Sequence, residues 1–523
     1  MNNYNINLKS KFACLLAVLL LLPSCSEDFL ERPPEDAYSI DTFYNTPEQV
    51  KASTNMLYVR PWYNFVTNVA WCIGELSSGN GRTWDPRNAD FVNFAITGEH
   101  GTLTQAWESL YAVIAQANTL INTMPDIAAS NGVSEEVINN ALGEARFIRG
   151  VAYFYLVRIF GPIPIISNNY DNLLDPIIPR NFEEDVYEFI RRDFQFAVDN
   201  LTNTKASEPG RISSNGAKAM LAKLHLYLHD YQTSYQLATE VIQSGEFKLM
   251  GGDAEDGDAS SSYSDLFLTE NDNNAESIFA LQWTTTGVYA EGNGIQSLFA
   301  PAGVTGFADG WSAIGPSIDL QEAYEDPDSD VRFHTTIMTP EYFYPDLNGG
   351  YTVSANIDHQ GVLAGIKKYV VGMPQFNGGG AMQSYPNNTY ILRYGELLLI
   401  HAEAALNGGG STGEGINSFN KVRRRAGLTD MANPTLEDVF NERRIELAYE
   451  FEFWYDVTRR GPEFALDFLA NTERGTYNNA VSPPTINSEM FAPNMDDMTF
   501  PYPSNEIQNN PALLEPPVSY DFN

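Results

Sequence analysis

The sequence predicts a mainly α-helical protein in which successive paired helices form a scaffold around a large loop-rich region. Two observations predict it. Several long segments carry apolar residues three and four positions apart, the stripe that one face of a helix buries. Between residues 246 and 388 that period vanishes, and Gly, Asn, Asp, Ser, Pro and aromatic residues dominate. Paired helices of this length suggest a tetratricopeptide-repeat-like stack, although no clean repeat period is visible. A long irregular stretch in a compact chain is usually functional or disordered, and its aromatic content argues against disorder.

Taken in order, residues 1–24 read as an export signal. Lys9 and Lys11 precede an apolar run from Phe12 to Leu22 that is too short to span a bilayer. Leu22-Pro23-Ser24-Cys25 follows and resembles the bacterial lipobox, which implies cleavage before Cys25 and its acylation. Several acyl chains anchor a protein stably where one binds marginally. Ser26-Glu27-Asp28 resembles the acidic tag that sends some lipoproteins to the outer cell surface. Cys14 leaves with the signal and Cys25 is lipidated, so Cys72 stands alone and no intrachain disulfide can form. Residues 25–46, with Pro33-Pro34, read as an extended tether.

A helix is expected from about Pro47 to Tyr58. Residues 66–101 show no helical period and read as loops and short strands. A long helix over about 102–124 has the stripe Leu103, Trp107, Leu110, Ile114, Ala117, Ile121 and Met124. It should pair antiparallel with a helix over 135–160, where Ala141, Ala145, Ile148, Ala152, Tyr155 and Ile159 share one side. Gly161-Pro162 stops that helix. Gly143 and Gly150 inside it cost helix stability, and close packing against another helix accounts for them. Further helices are expected at 182–200, 214–229, 231–244 and 389–407. A last one should start at Pro434, after the cap Asn433, and run to Arg460. Ser277–Trp283 and Lys367–Val371 look like isolated strands.

Lys and Arg number 31 against 67 Asp and Glu, a net charge of −36. Such a surface repels phosphate backbones and anionic lipid, so no nucleic-acid partner is expected. Hydrophobic residues at 43% suffice for a large core. Enzyme motifs are scarce. Gly310-Trp311-Ser312-Ala313-Ile314-Gly315 misses the nucleophile-elbow spacing by one residue. His225 and His229 have the spacing of two metal ligands on one helix, but no third ligand lies near in sequence. Asp326, Asp328 and Asp330 alternate as in calcium loops without the following Gly or the distal Glu, so calcium is at most a weak expectation and no cofactor is expected.

A family resemblance runs through these segments. Glu144-Ala145-Arg146-Phe147-Ile148-Arg149 with Leu156-Val157-Arg158-Ile159-Phe160-Gly161-Pro162-Ile163-Pro164 is similar to the signature helix of the SusD/RagB family. Ala217 to Lys223, Ile391 to Ala404, Asn420 to Leu428, Asn441 to Glu450 with Asp456 and Arg459-Arg460-Gly461, and Pro501-Tyr502-Pro503 through Pro511 follow in the family's order. The resemblance implies about four helix pairs in one SusD-like domain over 47–523. The helical scaffold would lie mainly in 47–245 and 388–465, and the ligand side mainly in 66–101 and 246–387. It also implies a surface lipoprotein, not an enzyme, that captures glycan and passes it to a SusC-like TonB-dependent transporter of the outer membrane. A peptide-binding relative is the nearest alternative, and a surface hydrolase a more distant one.

Two groups of residues follow. Charges inside apolar helices must be paired, so Glu144, Arg146, Arg393, Glu396, Arg443, Arg444, Glu446 and Glu450 are expected to join inter-helix ion pairs or to bond backbone carbonyls. Ligand contacts are sought on aromatics of the irregular regions, because sugars stack flat faces on rings and place hydroxyls against polar side chains. Trp84, with Arg82, Asp85 and Asn88 beside it, Trp283, Tyr289, Asp309 and Trp311 are the candidates. Core packing is the competing role for each of them. Trp107 and Trp454 lie on helical stripes and are expected in the core.

Overall fold

The computed structural model describes residues 43–171, 173, 176–252, 257–284, 286–357 and 361–522. The export signal, Cys25 and the tether as far as residue 42 lie outside the described residues. The scaffold begins at α1 (Pro47–Ser53), capped by the Thr46 side chain, and continues with α2 (Gly101–Ser130) and α3 (Glu135–Phe160). Pro125 sits inside α2, which therefore runs past its expected end. Next come α4 (Glu183–Asn200), α5 (Ser214–Tyr227) and α6 (Tyr231–Ser244). Each of α2 to α6 packs on the one before it. A Cβ on Gly150 would come within 2.7 Å of the Phe194 ring, and one on Gly143 within 3.1 Å of Leu201, so both glycines serve the α3–α4 contact. Trp107 and Trp454 are buried, as their stripes require.

After α6 the chain leaves the stack and returns to it as α7 (Tyr394–Ala404), which packs directly on α6. Then follow α8 (Thr412–Arg425), α9 (Leu436–Glu446), α10 (Phe453–Thr458) and α11 (Pro462–Ala470). Four short strands matter for the site. β1 (Gly81–Thr83) pairs antiparallel with β3 (Ile314–Pro316), and β2 (Ser277–Leu281) pairs antiparallel with β4 (Thr389–Arg393). The architecture is the expected tetratricopeptide-repeat-like helical one.

Four local expectations need correction. Residues 389–393 are strand β4, because β2 offers them a partner that the sequence does not announce. The helix expected from Pro434 begins later, at Leu436, behind a Thr435–Asp438 capping box. It breaks after Glu446, with Tyr449 and Phe451 at φ of 61° and 71°. Beyond the break Glu450 pairs with Arg393 and Lys368, and Glu452 with Arg158 and Lys223. Residues 65–77 are helical, not looped, in two wide-turn π segments, Phe65–Ala70 and Cys72–Ser77. They are buried almost throughout, so no polar face marks a 3.6-residue period. Lys367–Val371 is a turn around two buried lysines. Lys367 Nζ donates to Val370 O at 3.0 Å, and Lys368 Nζ reaches Glu450 at 2.9 Å.

The expected buried pairs form two networks. Arg393 binds Glu276, Glu446 and Glu450 at 2.7, 2.5 and 2.7 Å, and Arg425 and Arg332 join through Glu276 and Glu446. Burial pushes the Glu446 carboxyl up, but Arg425, Arg393 and Arg332 outweigh it and hold the group well below the usual carboxylate range. In the second network Glu452 links Arg158 and Lys223, Lys223 reaches Glu396, and Arg443 bridges Glu396 and Asp456. Glu144 pairs with Arg211 at 2.6 Å and Arg444 with Asp319 at 2.6 Å. Arg146 departs from the expectation: its guanidinium stacks 4.2 Å over the Phe196 ring, and its Nε finds no acceptor.

Candidate functional site

A cleft of about 820 Å³ opens beside the start of α2. Its walls come from stretches of chain far apart in sequence. Thr67, Asn68 and Trp71 come from the helical stretch 65–77, Trp84, Asp85, Arg87 and Asn88 from the loop after β1, and Thr102 and Gln105 from α2. Trp311, Ala313 and Gln383 close it from the loop-rich region.

The β1–β3 pairing aligns two of these walls, with Gly81 opposite Pro316 and Thr83 opposite Ile314. At the end of the ribbon, Thr83 Oγ1 donates to Ala313 O at 2.6 Å and Trp84 Nε1 donates to Ser312 O at 3.0 Å. Trp84 is thereby pinned to the residue that follows Trp311. Both rings remain open to solvent, Trp84 at 57% and Trp311 at 38% exposure. The Trp311 backbone is held by its own N–H to Ser297 O at 2.8 Å. Gly310 precedes it at φ 88°, where a side chain would both strain the backbone and meet Pro301 O at 2.6 Å.

The polar lining is equally ordered. Arg87 grips Asp85 as a fork, Nε to Oδ1 at 2.9 Å and Nη2 to Oδ2 at 2.6 Å. These hydrogen bonds from Arg87 hold the Asp85 carboxyl below its ordinary value. Arg87 itself is almost fully exposed, so the pair presents its guanidinium edge outward. His100 Nε2 donates to Arg87 O at 2.6 Å, which leaves Nδ1 to accept the Thr102 N–H at 3.2 Å and cap α2. Asn88 Oδ1 accepts from Thr102 Oγ1 at 3.5 Å. Gln105 Oε1 is buried in the wall with no donor from the protein.

Of the residues singled out from sequence, Trp84, Asp85, Asn88 and Trp311 meet in this cleft. Arg82 does not: strand alternation turns it away, to the Arg474 carbonyl and to Glu489 at 2.9 Å. Asp309 lies beneath the cleft, only 3% exposed, and its carboxylate accepts from Thr305, Ser297 Oγ and Tyr385 Oη. It braces the loop that carries Trp311 and has no face for a ligand. Trp283 is buried two residues past β2, its Nε1 donating to Thr389 Oγ1 at 2.9 Å and its ring edge-on to Tyr63. Tyr289 is 63% exposed but leans on Tyr63 outside the cleft lining, with ring centroids 5.1 Å apart. Sequence reasoning missed Thr67, Asn68, Trp71, His100, Gln105 and Gln383. The His100-Gly101-Thr102 cap signal was present, and the π segments left none.

The metal-like spacings dissolve in three dimensions. His225 sits in α5 against Asp230 at 3.0 Å, whereas His229 lies past the helix end at φ 56° and bonds Tyr231 Oη. Asp330 is forked by Arg332, with Nη2 to Oδ2 at 2.7 Å, which takes up the carboxylate a cation would need. What the cleft offers chemically is two flat apolar faces with fixed donors and acceptors at their edges.

Comparison with known proteins agrees with this architecture. Residues 275–518 match the family model described as SusD family, and residues 28–226 match one described as starch-binding associating with outer membrane. The chain is 34% identical to a SusD-like protein of Bacteroides ovatus over 99% of this chain and all of that one. It is 26% identical to SusD-like protein P2 of Formosa agariphila, covering 85% and 89% of the two chains. A solved structure containing xylogluco-oligosaccharide superposes with a TM-score of 0.80 at 32% identity, covering 91% of this chain and 99% of that one. A laminarin-binding SusD-like protein, 24% identical, shares the fold with a TM-score of 0.68 over 88% and 97% of the chains. Identity at that level over the whole length, with both family models matched in order, places this chain in the SusD family.

Proposed function

We propose that this protein is a glycan-binding lipoprotein of the outer cell surface, acylated at Cys25. It holds oligo- or polysaccharide in the cleft of Trp84 and Trp311 and passes it, without catalysis, to a SusC-like TonB-dependent transporter. The observation that carries the reading is the pair of exposed indoles facing one cleft, Trp84 held by its ring N–H to Ser312 O and Trp311 carried on a backbone fixed by its own N–H to Ser297 O. An exposed Trp held rigid is prepared to stack a pyranose face, and its ordering cost is met before the ligand arrives. The Asp85–Arg87 pair, Asn88 and Gln105 then serve the ring hydroxyls. A hydroxyl donating to Gln105 Oε1 would satisfy that buried acceptor. The relative solved with xylogluco-oligosaccharide and the lipobox at Cys25 support the same reading.

Titration calorimetry on Trp84→Ala and Trp311→Ala with a glycan panel tests the site. Each truncation should weaken binding by about 2 kcal/mol, roughly 30-fold. Melting temperature should stay nearly constant, since neither ring fills a core cavity. Full affinity in both variants would refute the site. Delivery is tested separately, by co-purification from membranes. Absence of a transporter of that class from the preparation would refute the partnership.

A further inference from the structure

A second cavity, of about 350 Å³, shares no lining residue with the cleft of Trp84 and Trp311. The C-terminal segment closes one side of it. Phe500 N–H donates to Ile159 O at 2.8 Å and Tyr502 Oη to Pro162 O at 2.5 Å, which fastens both rings to the end of α3. The volume is at the small end of the range that small-molecule sites occupy, roughly 300–1,000 Å³.

Two of the lining side chains are buried polar groups that nothing among the described residues satisfies. Trp454, on α10, is 0% exposed and its Nε1–H finds no acceptor. Ser77, at the end of the Cys72–Ser77 segment, is 1% exposed and its Oγ finds no partner. Buried groups of this kind are nearly always bonded. An indole N–H only donates, whereas a hydroxyl both donates and accepts. One hydroxyl entering the cavity would serve both, its oxygen accepting from Trp454 and its proton going to Ser77 Oγ.

A lone water would satisfy that pair too, but it would leave the rest of the lining unused. Phe91, Phe160, Trp454 and Phe500 are buried and surround the space with rings, Phe500 standing 5.8 Å from Phe91 and 5.5 Å from Trp454. The charged lining is Asp90, Asp496, Asp497 and Arg180. Arg180 is engaged, with Nε to Glu515 O at 2.9 Å and Nη1 to Tyr502 Oη at 3.0 Å. Asp497 accepts the Asn494 N–H and its amide, both at 2.7 Å. Asp90 and Asp496 form no ion pair among the described residues. Arg474 stacks 4.8 Å over the Phe94 ring and gives Nη2 to Ser77 O, but it does not line the cavity. Aromatic faces with carboxylates beside them attract organic cations, and a net charge of −36 raises the local concentration of cations generally.

We infer that this cavity binds a small hydroxylated organic ammonium ion, of the choline or ethanolamine class. Its hydroxyl sits between Trp454 Nε1 and Ser77 Oγ, and its ammonium lies among the rings on the side of Asp90 and Asp496. The site owes nothing to the glycan reading, and either can fail alone.

Ligand-observed NMR titrations test it with choline, with tetramethylammonium, which lacks the hydroxyl, and with dimethylbutanol, the neutral carbon analogue of choline. Choline should bind at least about tenfold more tightly than dimethylbutanol. Trp454→Phe keeps a ring in the core and removes the N–H. It should weaken choline about fivefold while tetramethylammonium stays within about twofold. Asp90→Asn/Asp496→Asn should weaken both cations about fivefold and spare dimethylbutanol. If Trp454→Phe fails to fold, Ser77→Ala and the aspartate pair carry the same test. Equal affinity for choline and dimethylbutanol would overturn the inference and leave an apolar void. Binding of neither cation would overturn it as well, in favour of ordered water. Choline affinity that survives every one of these variants, or that is lost in Trp84→Ala instead, would put the cation elsewhere and sink the assignment.

Discussion

The helical stack and the loop-rich region use the same residue types in opposite ways. In α3 the aromatics Phe147, Tyr153, Phe154, Tyr155 and Phe160 are all buried, and the arginines inside the apolar stripe meet carboxylates or rings. In the loop-rich region Trp84, Tyr289, Trp311, Phe343 and Phe376 face solvent, while polar groups such as Asp309, which accepts the Gln383 N–H, and Asn293, which donates to Asn387 O, hold the backbone from beneath. The scaffold spends its hydrogen bonds within helices and has charge left over to specify how helices meet. The loops lack that regular ladder, so buried side chains must supply backbone partners one by one. Rigidity of the loops therefore depends on polar residues, and the rings are left exposed.

The comparison can be broken most severely at Arg393. It serves Glu276, Glu446 and Glu450 and is about 1% exposed. Arg393→Met should destabilise the fold by about 3–5 kcal/mol, because three buried carboxylates lose their shared cation. Urea unfolding measures this, and a loss below 1 kcal/mol would mean that Arg425 and Arg332 suffice.

Acid is the next largest lever. Burial pushes Glu446, Glu450, Glu452 and Asp456 up, yet their cationic partners hold all four below the ordinary carboxylate range. A carboxyl held low in the folded state contributes stability above its unfolded value, and that contribution is lost as pH falls through the folded value. Stability should therefore drop steadily below about pH 4. Glu75 acts in the opposite sense: burial pushes it up to about 7, so its contribution is present in acid and is lost as pH rises from 4.5 towards 7. Urea midpoints across this range should show a steep acid limb and a shallower decline on the neutral side. A flat acid limb would mean that the networks add nothing to stability.

A finer cut separates the loop backbone from the ring it carries. Gly310→Ala puts a methyl against Pro301 O at a left-handed φ, so it should displace Trp311 and reproduce most of the affinity loss of Trp311→Ala with only a modest change in melting temperature. Unchanged glycan affinity would show that the loop tolerates the shift. The smallest effect is expected at Arg82, which faces Glu489 and the Arg474 carbonyl. Arg82→Ala should alter glycan affinity less than twofold. A tenfold loss would return Arg82 to the site.

The helices were legible because their faces differ. Leu103, Trp107 and Leu110 or Ala141, Ala145 and Ile148 mark a buried side against a wetter one, and α2 to α6 fall within a few residues of where the period puts them. The period failed where contrast failed. Residues 65–77 are buried all round and wind in wide turns, so they resemble no template, yet they supply Thr67, Asn68 and Trp71 to the cleft. The candidate cleft was half legible. Trp84 and Trp311 stood out as rings among polar and Gly residues. Trp283 had the same local appearance, and only its seat against Tyr63 and Thr389 shows that it is core.

By itself, then, the sequence determined the helical class, the order of the scaffold helices, that most of the charges inside those helices are buried in pairs, though not Arg146, and the family resemblance carried by those same helices. These are set by spacing along the chain or by the cost of leaving a charge unpaired, both of which are local facts. Only the tertiary structure decided that residues 389–393 become a strand, that the helix after Thr435 breaks between Glu446 and Phe453, and that Arg82 and Asp309 turn away from the cleft while Gln105 and Gln383 enter it. Each depends on a partner far away in sequence: β2 for β4, Lys368 and Lys223 for the two glutamates, and Ser312 for the indole of Trp84. A residue's own neighbours do not reveal which of several satisfied environments the folded chain will bring to it.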